Sequence, residues 1–124
     1  MQEKYIEQRL VAAVKNMGGI APKFVSPGFN GMPDRLVLLP MGWIAFIELK
    51  APGKMMRPLQ VRRKRQLEAL GFLVYCIDSV EQIDEVLQAM GGDAEWSSYH
   101  MIISSMRLIL SRASQYLQYS LIWA

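Results

Sequence analysis

Cysteine and histidine are almost missing from this sequence. Its 124 residues include one cysteine, Cys76, and one histidine, His100. A single cysteine excludes an internal disulfide framework and a four-cysteine zinc site, and a single histidine excludes a metal site built on two imidazoles. The lone thiol fits a reducing, cytoplasmic location. We expect Cys76, which lies in an apolar run, to belong to the core, and we assign His100 no function.

The N-terminal residues also lack a long apolar run. The segment MQEKYIEQ carries two glutamates and no apolar stretch, so we expect no secretory signal. Hydrophobic residues nevertheless make up 52% of the chain and charged residues 20%, which allows a core and excludes wholesale disorder. The length is that of one domain.

The net charge of +3 hides an uneven distribution of charge. Seven basic residues and no acidic residue lie between positions 50 and 65. They are Lys50, Lys54, Arg57, Arg62, Arg63, Lys64 and Arg65. Such a run is typical of a solvated helix face, and it also suits a surface that binds phosphates.

A second change in composition follows Glu95. Residues 96–124 hold seven of the nine serines and no Asp, Glu, Gly or Pro. We therefore predict a domain over residues 1–95 and an appended tail over 96–124.

Apolar residues in this tail recur at helical spacing and predict a helix with a broad apolar stripe. The stripe consists of Ile103, Met106, Leu110, Ala113 and Leu117. Arginines and serines interrupt it too often for a membrane span. Three interpretations are open: a helix that packs on the domain or on a second subunit, a frame-altered extension, or a segment associated with a membrane surface.

Hydrophobic patterns predict a mixed α/β domain. Helices are predicted over residues 3–17, 58–70 and 80–90 from helical spacing and from proline, glycine and capping signals. Strands are predicted over 20–25, 35–39, 43–49 and 72–77, with the first weakened by its proline. The order α-β-β-β-α-β-α contains a hairpin followed by a β-α-β crossover, which is typical of a mixed sheet flanked by helices.

The predicted hairpin places two carboxylates opposite each other. If its turn centres on Met41, then Asp34 and Glu48 are each seven positions away and form a facing pair. Facing β-carbons lie about 4.5–5.5 Å apart in such a pair. Lys50 is two residues beyond Glu48 and points to the same face.

Two facing carboxylates repel each other and need positive charge between them. Lys50 supplies part of this charge, and a divalent cation can supply the rest. Oxygen ligands without His or Cys favour Mg²⁺ or Mn²⁺. A metal ion beside a lysine suits phosphodiester hydrolysis. The alternative is a buried Asp–Lys–Glu ion network without chemistry.

Several motifs in this region resemble one family. The sequences Gly-Met-Pro-Asp34 and Ile-Glu48-Leu-Lys50 resemble the PD-(D/E)xK nuclease motif, and Gln60-Val-Arg-Arg resembles the signature of its VRR-NUC family. Residues 23–28 and 70–72 are similar to those of small viral and bacterial members. The resemblance covers roughly residues 3–90 and implies a restriction-endonuclease-like core.

The resemblance also implies roles for individual residues. Asp34, Glu48 and the Leu49 carbonyl would bind the metal ion, Lys50 would be the catalytic lysine, and Gln60 would lie near the metal and the phosphate. An acidic residue of the first helix usually completes such sites. Here Glu3 and Glu7 are the candidates, and we prefer Glu7 because its surroundings are similar to the archaeal junction-resolvase pattern.

Small standalone members of this family are implicated in cutting branched DNA, chiefly four-way junctions, as homodimers. The resemblance therefore implies a metal-dependent endonuclease that acts on branched DNA, with no small-molecule cofactor and no membrane partner. We expect DNA contacts from Lys23, Ser26, Lys54, Arg57, Arg62, Arg63, Lys64 and Arg65. The rival hypotheses are a DNA-binding module with a vestigial site and a restriction-like endonuclease that recognises sequence.

Overall fold

A three-stranded sheet with helices on both faces is formed by residues 2–91 in the computed structural model, which describes these residues and positions 106, 109, 110, 113 and 117. The elements are α1 (Gln2–Asn16), β1 (Arg35–Leu39), β2 (Trp43–Leu49), α2 (Pro58–Ala69), β3 (Leu73–Ile77) and α3 (Glu81–Gly91). Six of the seven predicted elements are confirmed, with ends displaced by at most one position.

The hairpin has the predicted register. A short 3₁₀ turn, Pro40–Gly42, joins β1 to β2, and Met41 adopts a left-handed φ of 75° at its centre. The strands pair antiparallel from Arg35 with Ile47 to Leu39 with Trp43. Asp34 and Glu48 are therefore the next positions outward from the Arg35–Ile47 pair.

Each face of the sheet has its own core, because successive strand residues point to opposite sides. Ala45, Ile47 and Leu49 pack in one cluster with the buried stripe of α1 and with α3. Phe46 packs on the opposite face with Leu67 of α2. The crossover through α2 makes β2 and β3 parallel neighbours.

The predicted strand over residues 20–25 is wrong as a continuous element. Only isolated bridges form, between Ile20 and Leu38 and between Lys23 and Arg35. Pro22 explains the interruption: its carbonyl accepts a hydrogen bond from the Leu36 N–H at 3.1 Å, but it has no N–H to donate in return. The segment lies alongside β1 in antiparallel orientation but does not form a continuous ladder with it.

The chain divides into two compact units, Met1–Gly91 and Gly92–Ala124. In the second unit, the five described positions are helical and their side chains are exposed. The predicted tail helix holds at these positions, whereas Ile103 and His100 lie outside the described residues. None of the helices in the described part of the chain is both long and apolar enough to cross a membrane.

Candidate active site

Glu48 is the centre of a polar cluster between β2 and α2. Its side chain lies on the same face as Phe46, beneath α2, and is 1% exposed. The Lys50 ammonium lies 3.5 Å from Glu48 Oε1. The Gln60 Nε2 donates to the same oxygen at 2.6 Å. The other carboxylate oxygen, Oε2, is buried and accepts no hydrogen bond from the described residues.

Asp34 enters the site from the start of β1. Its Oδ2 accepts a hydrogen bond from the backbone N–H of Leu49 at 3.0 Å, which fixes the aspartate beside β2. Asp34 itself is exposed, so the paired carboxylates differ: one faces solvent and the other is buried. The structure therefore brings Asp34, Glu48, Leu49, Lys50 and Gln60 together, as the sequence predicts.

Gln60 links Glu48 to the first turn of α2. Pro58 starts the helix at a position where its missing N–H costs nothing. The Gln60 Oε1 accepts the backbone N–H of Arg57 at 2.8 Å, which orients the amide so that its Nε2 points to Glu48. Gln60 is only 5% exposed, so its polar atoms depend on these two bonds.

Burial, and after it the negative charge of Asp34, together raise the pKa of Glu48 to about 7, although Lys50 opposes both effects. Without a cation, the site thus tends to hold a proton on Glu48 near neutral pH. The facing thiol on β3, Cys76, lies in register with Glu48. Burial and the charge of Glu48 raise the pKa of this half-buried thiol as well.

These oxygens fit a small hard cation. Glu48 Oε2 is an acceptor that lacks a partner among the described residues, and Asp34 provides a second carboxylate. Mg²⁺ is commonly bound by one or two carboxylates together with water. The donor set contains no imidazole, and it therefore suits Mg²⁺ or Mn²⁺ better than softer metals.

Glu7 does not join this cluster. No group of three or more His, Cys, Asp or Glu side chains that could hold a metal ion occurs among the described residues. Glu7 is instead paired with Arg35, whose guanidinium also donates to the Ala21 carbonyl at 2.6 Å. Arg35 follows Asp34 in the chain, so its side chain points to the α1 face of the sheet. The expectation that Glu7 completes the carboxylate group is not met in this arrangement.

Some of the basic residues are exposed to solvent, and others contact groups within the protein. Lys23, Lys54, Arg57, Arg62 and Arg65 are exposed, and Ser26 is half-buried. Lys64 lies 3.9 Å from Glu68, a partly exposed pair that adds little stability. Arg63 is engaged within the protein, because its Nε donates to the Asn30 carbonyl at 2.7 Å.

Sequence reasoning did not foresee two of these contacts. The first is the Glu7–Arg35 pair, for which strand alternation was the available signal. The second places the guanidinium carbon of Arg63 3.8 Å from the ring centroid of Phe29. An aromatic residue in a glycine-rich loop just before the motif was the only hint of this contact.

Comparisons with known proteins relate the chain to nucleases. No family model matches the chain. It is 49% identical over 90 residues to a protein of Acyrthosiphon pisum secondary endosymbiont phage 1 named "Putative nuclease p44", a match that covers 73% of this chain and 96% of the phage protein. A solved structure described as a VRR_NUC domain is 28% identical with a TM-score of 0.67, covering 71% of this chain and 96% of that one. The fold is restriction-endonuclease-like, and the chain belongs to the VRR-NUC family of nucleases.

Proposed function

We propose that this nuclease is a Mg²⁺- or Mn²⁺-dependent endonuclease that cuts phosphodiester bonds in branched DNA, with four-way junctions as the preferred substrate and a homodimer as the active form. The observation that carries the proposal is the buried Glu48 carboxylate, which has one oxygen free of hydrogen bonds from the described residues and lies next to Lys50 and Gln60.

Each residue has a distinct task in this proposal. Asp34 and Glu48 would hold the metal ion, together with the Leu49 carbonyl. The ion, when bound, polarises the phosphate and lowers the pKa of water. Lys50 stabilises the negative charge that develops on the phosphate. Gln60 keeps the Glu48 carboxylate oriented through its hydrogen bond.

A cleavage panel tests the proposal directly. Linear duplex, flap, splayed and four-way DNA of matched length are incubated with Mg²⁺, with Mn²⁺ or with a chelator. We expect cleavage only with metal, and fastest on the four-way junction. Cleavage in chelator would overturn the metal dependence, and equal rates on all substrates would overturn the selectivity.

Three variants test the division of labour. Asp34→Ala and Glu48→Ala should each abolish cleavage, because each removes a metal ligand. Lys50→Ala should abolish cleavage but retain metal binding, which calorimetry measures. If the wild-type protein binds every substrate but cuts none of them, the rival hypothesis of a vestigial site is favoured. If cleavage depends on the DNA sequence, a restriction-like enzyme is favoured.

A further inference from the structure

The loop over residues 26–31 has a fixed conformation. It contains a turn closed by the Phe29 N–H, which donates to the Ser26 carbonyl at 3.2 Å. Arg63 of α2 holds the loop twice, through its hydrogen bond to the Asn30 carbonyl and through the 3.8 Å contact of its guanidinium with the Phe29 ring. Three contacts therefore hold this loop, and one of them, from the Arg63 guanidinium, is to the Phe29 ring itself.

Close packing of Gly31 fixes the other end of this loop. Gly31 has a left-handed φ of 87°, and a β-carbon there would lie 2.7 Å from Leu59 Cγ. Only glycine allows the loop to approach α2 this closely. The loop is thus attached to the same helix that supplies Gln60.

Phe29 stays 46% exposed despite these contacts. The loop therefore presents an oriented aromatic ring at the surface, backed by the planar guanidinium of Arg63. Aromatic rings and guanidinium planes are the surfaces on which unpaired nucleobases stack, whatever their sequence.

Two short separations in sequence limit the distance between the Phe29 ring and the candidate active site. Arg63 follows Gln60 by three residues, so the two side chains are neighbours on one side of α2, about 5–6 Å apart at their β-carbons. Phe29 precedes Asp34 by five residues, a span of at most about 18 Å of chain. This upper limit corresponds to about five base-pair steps of DNA at roughly 3.4 Å each.

We infer that Phe29, backed by Arg63, is a stacking site for an unpaired nucleotide that lies within about five nucleotides of the bond that is cut. The inference rests on the proposed function and deepens it, because it supplies a reason for selecting branched DNA. Bases within a duplex, including those of a blunt end, are already stacked on each other, whereas branch points, flaps and single strands offer bases that can turn outward. Phosphate contacts from basic residues would not distinguish these substrates.

Binding without metal tests the inference separately from cleavage. Fluorescence anisotropy in chelator compares a flap, a single strand and a blunt duplex of equal length. Phe29→Ala should weaken binding to the flap and the single strand by about 5- to 100-fold, the range that base–aromatic stacking produces. Affinity for the blunt duplex should change by less than about 2-fold. Phe29→Trp should retain the preference for unpaired DNA, and Phe29→Leu should lose it.

Two further variants separate stacking from other effects. Tyr5→Ala removes an aromatic side chain of similar exposure, 55%, from α1 and should change neither affinity. Arg63→Lys keeps the positive charge but loses the plane behind the ring, and should weaken binding to unpaired DNA in the same direction as Phe29→Ala. Thermal unfolding verifies that each variant is folded.

The results of these experiments distinguish failure of the Phe29 stacking site from failure of the proposed endonuclease function. Equal losses on duplex and unpaired DNA, or no loss in Phe29→Leu, would overturn the stacking site. So would a wild-type protein that binds unpaired DNA no better than duplex. If the wild-type protein binds flaps preferentially through Phe29 but cuts nothing with either metal, the stacking site stands and the proposed endonuclease function fails.

Discussion

A buried carboxylate whose oxygen lacks a hydrogen bond lowers the stability of the folded state. Among the described residues, Glu48 is such a group. Its desolvation opposes folding, and the neighbouring Asp34 adds repulsion. Lys50 and Gln60 offset only part of this, because both contact the same oxygen, Oε1. Local conflicts of this kind are concentrated at functional sites.

The pKa of Glu48 predicts how stability depends on pH. Folding raises this pKa from 4.5 to about 7, so between these values the folded state holds a proton that the unfolded state has lost. Stability is therefore lost as pH rises through this range, by at most about 3 kcal/mol. Glu48→Gln removes the titrating group. In chelator, its melting temperature should exceed that of the wild type increasingly from pH 4.5 to 7.

Thermal melts by circular dichroism across pH 4–8 measure this difference. Glu85→Gln, which replaces an exposed glutamate of α3, is the matched control and should follow the wild type at every pH. A constant gap between Glu48→Gln and the wild type, independent of pH, would show that packing rather than titration explains the effect.

Sequence predicts the residues of this site where backbone geometry alone decides their position. Asp34, Glu48 and Lys50 follow from a hairpin register and the two-residue period of a strand. Gln60 follows from the family resemblance and from its place in the first turn of α2. The partner of Glu7 could not be predicted in this way, because it depends on how α1 packs on the sheet. In the structure, Glu7 forms an ion pair with Arg35.

At the level of elements, the sheet is predictable because its strands are apolar on consecutive residues and bounded by turns. The segment 20–25 has the composition of a strand, yet Pro22 removes one N–H from its ladder. The contact between the 26–31 loop and α2 is long-range in sequence, so the aromatic residue in this glycine-rich loop hints at it but does not identify its partner, Arg63.

Two glycines of this loop offer a matched test of that contact. Both Gly28 and Gly31 have a left-handed φ, so alanine at either position should cost about 1–2 kcal/mol of backbone strain. A β-carbon at Gly28 meets nothing within 4 Å, whereas one at Gly31 meets Leu59 at 2.7 Å. Gly31→Ala should therefore lose about 1–3 kcal/mol more than Gly28→Ala.

Urea unfolding measures both free energies. The larger loss at Gly31 should be relieved in part by Leu59→Ala, which removes the atoms that a new β-carbon would strike. Equal losses for the two glycine variants would mean that the loop does not pack closely on α2, and would also weaken the basis for the Phe29 stacking site.

For the whole molecule, the exposed basic residues predict a strong dependence of DNA binding on salt. If each subunit contacts roughly four to six phosphates, the slope of log affinity against log salt on duplex should be about −3.5 to −5.5. Replacing Lys54 and Arg57 with alanine should reduce its magnitude by about 1–2. Replacing Lys4 and Lys15, exposed on α1, makes the same change in net charge and should leave the slope unaltered. Equal slopes for both double variants and the wild type would place the DNA path elsewhere.

The symmetry of the proposed substrate indicates how this protein assembles. A four-way junction has two-fold symmetry, and productive cutting requires two nicks placed symmetrically. Asp34 and Glu48 form a pair of facing carboxylates among the described residues, and the proposed function assigns one nick to that pair. A two-fold homodimer supplies two such sites, related by the symmetry of the substrate. We therefore expect a homodimer in solution with both basic surfaces on one side. Light scattering on the full chain and on a chain ending at Glu95 measures this, and both should be dimers if the domain itself forms the interface. A monomer at micromolar concentration in both cases would remove the symmetry argument, and flaps or splayed arms would then become the expected substrates in place of four-way junctions.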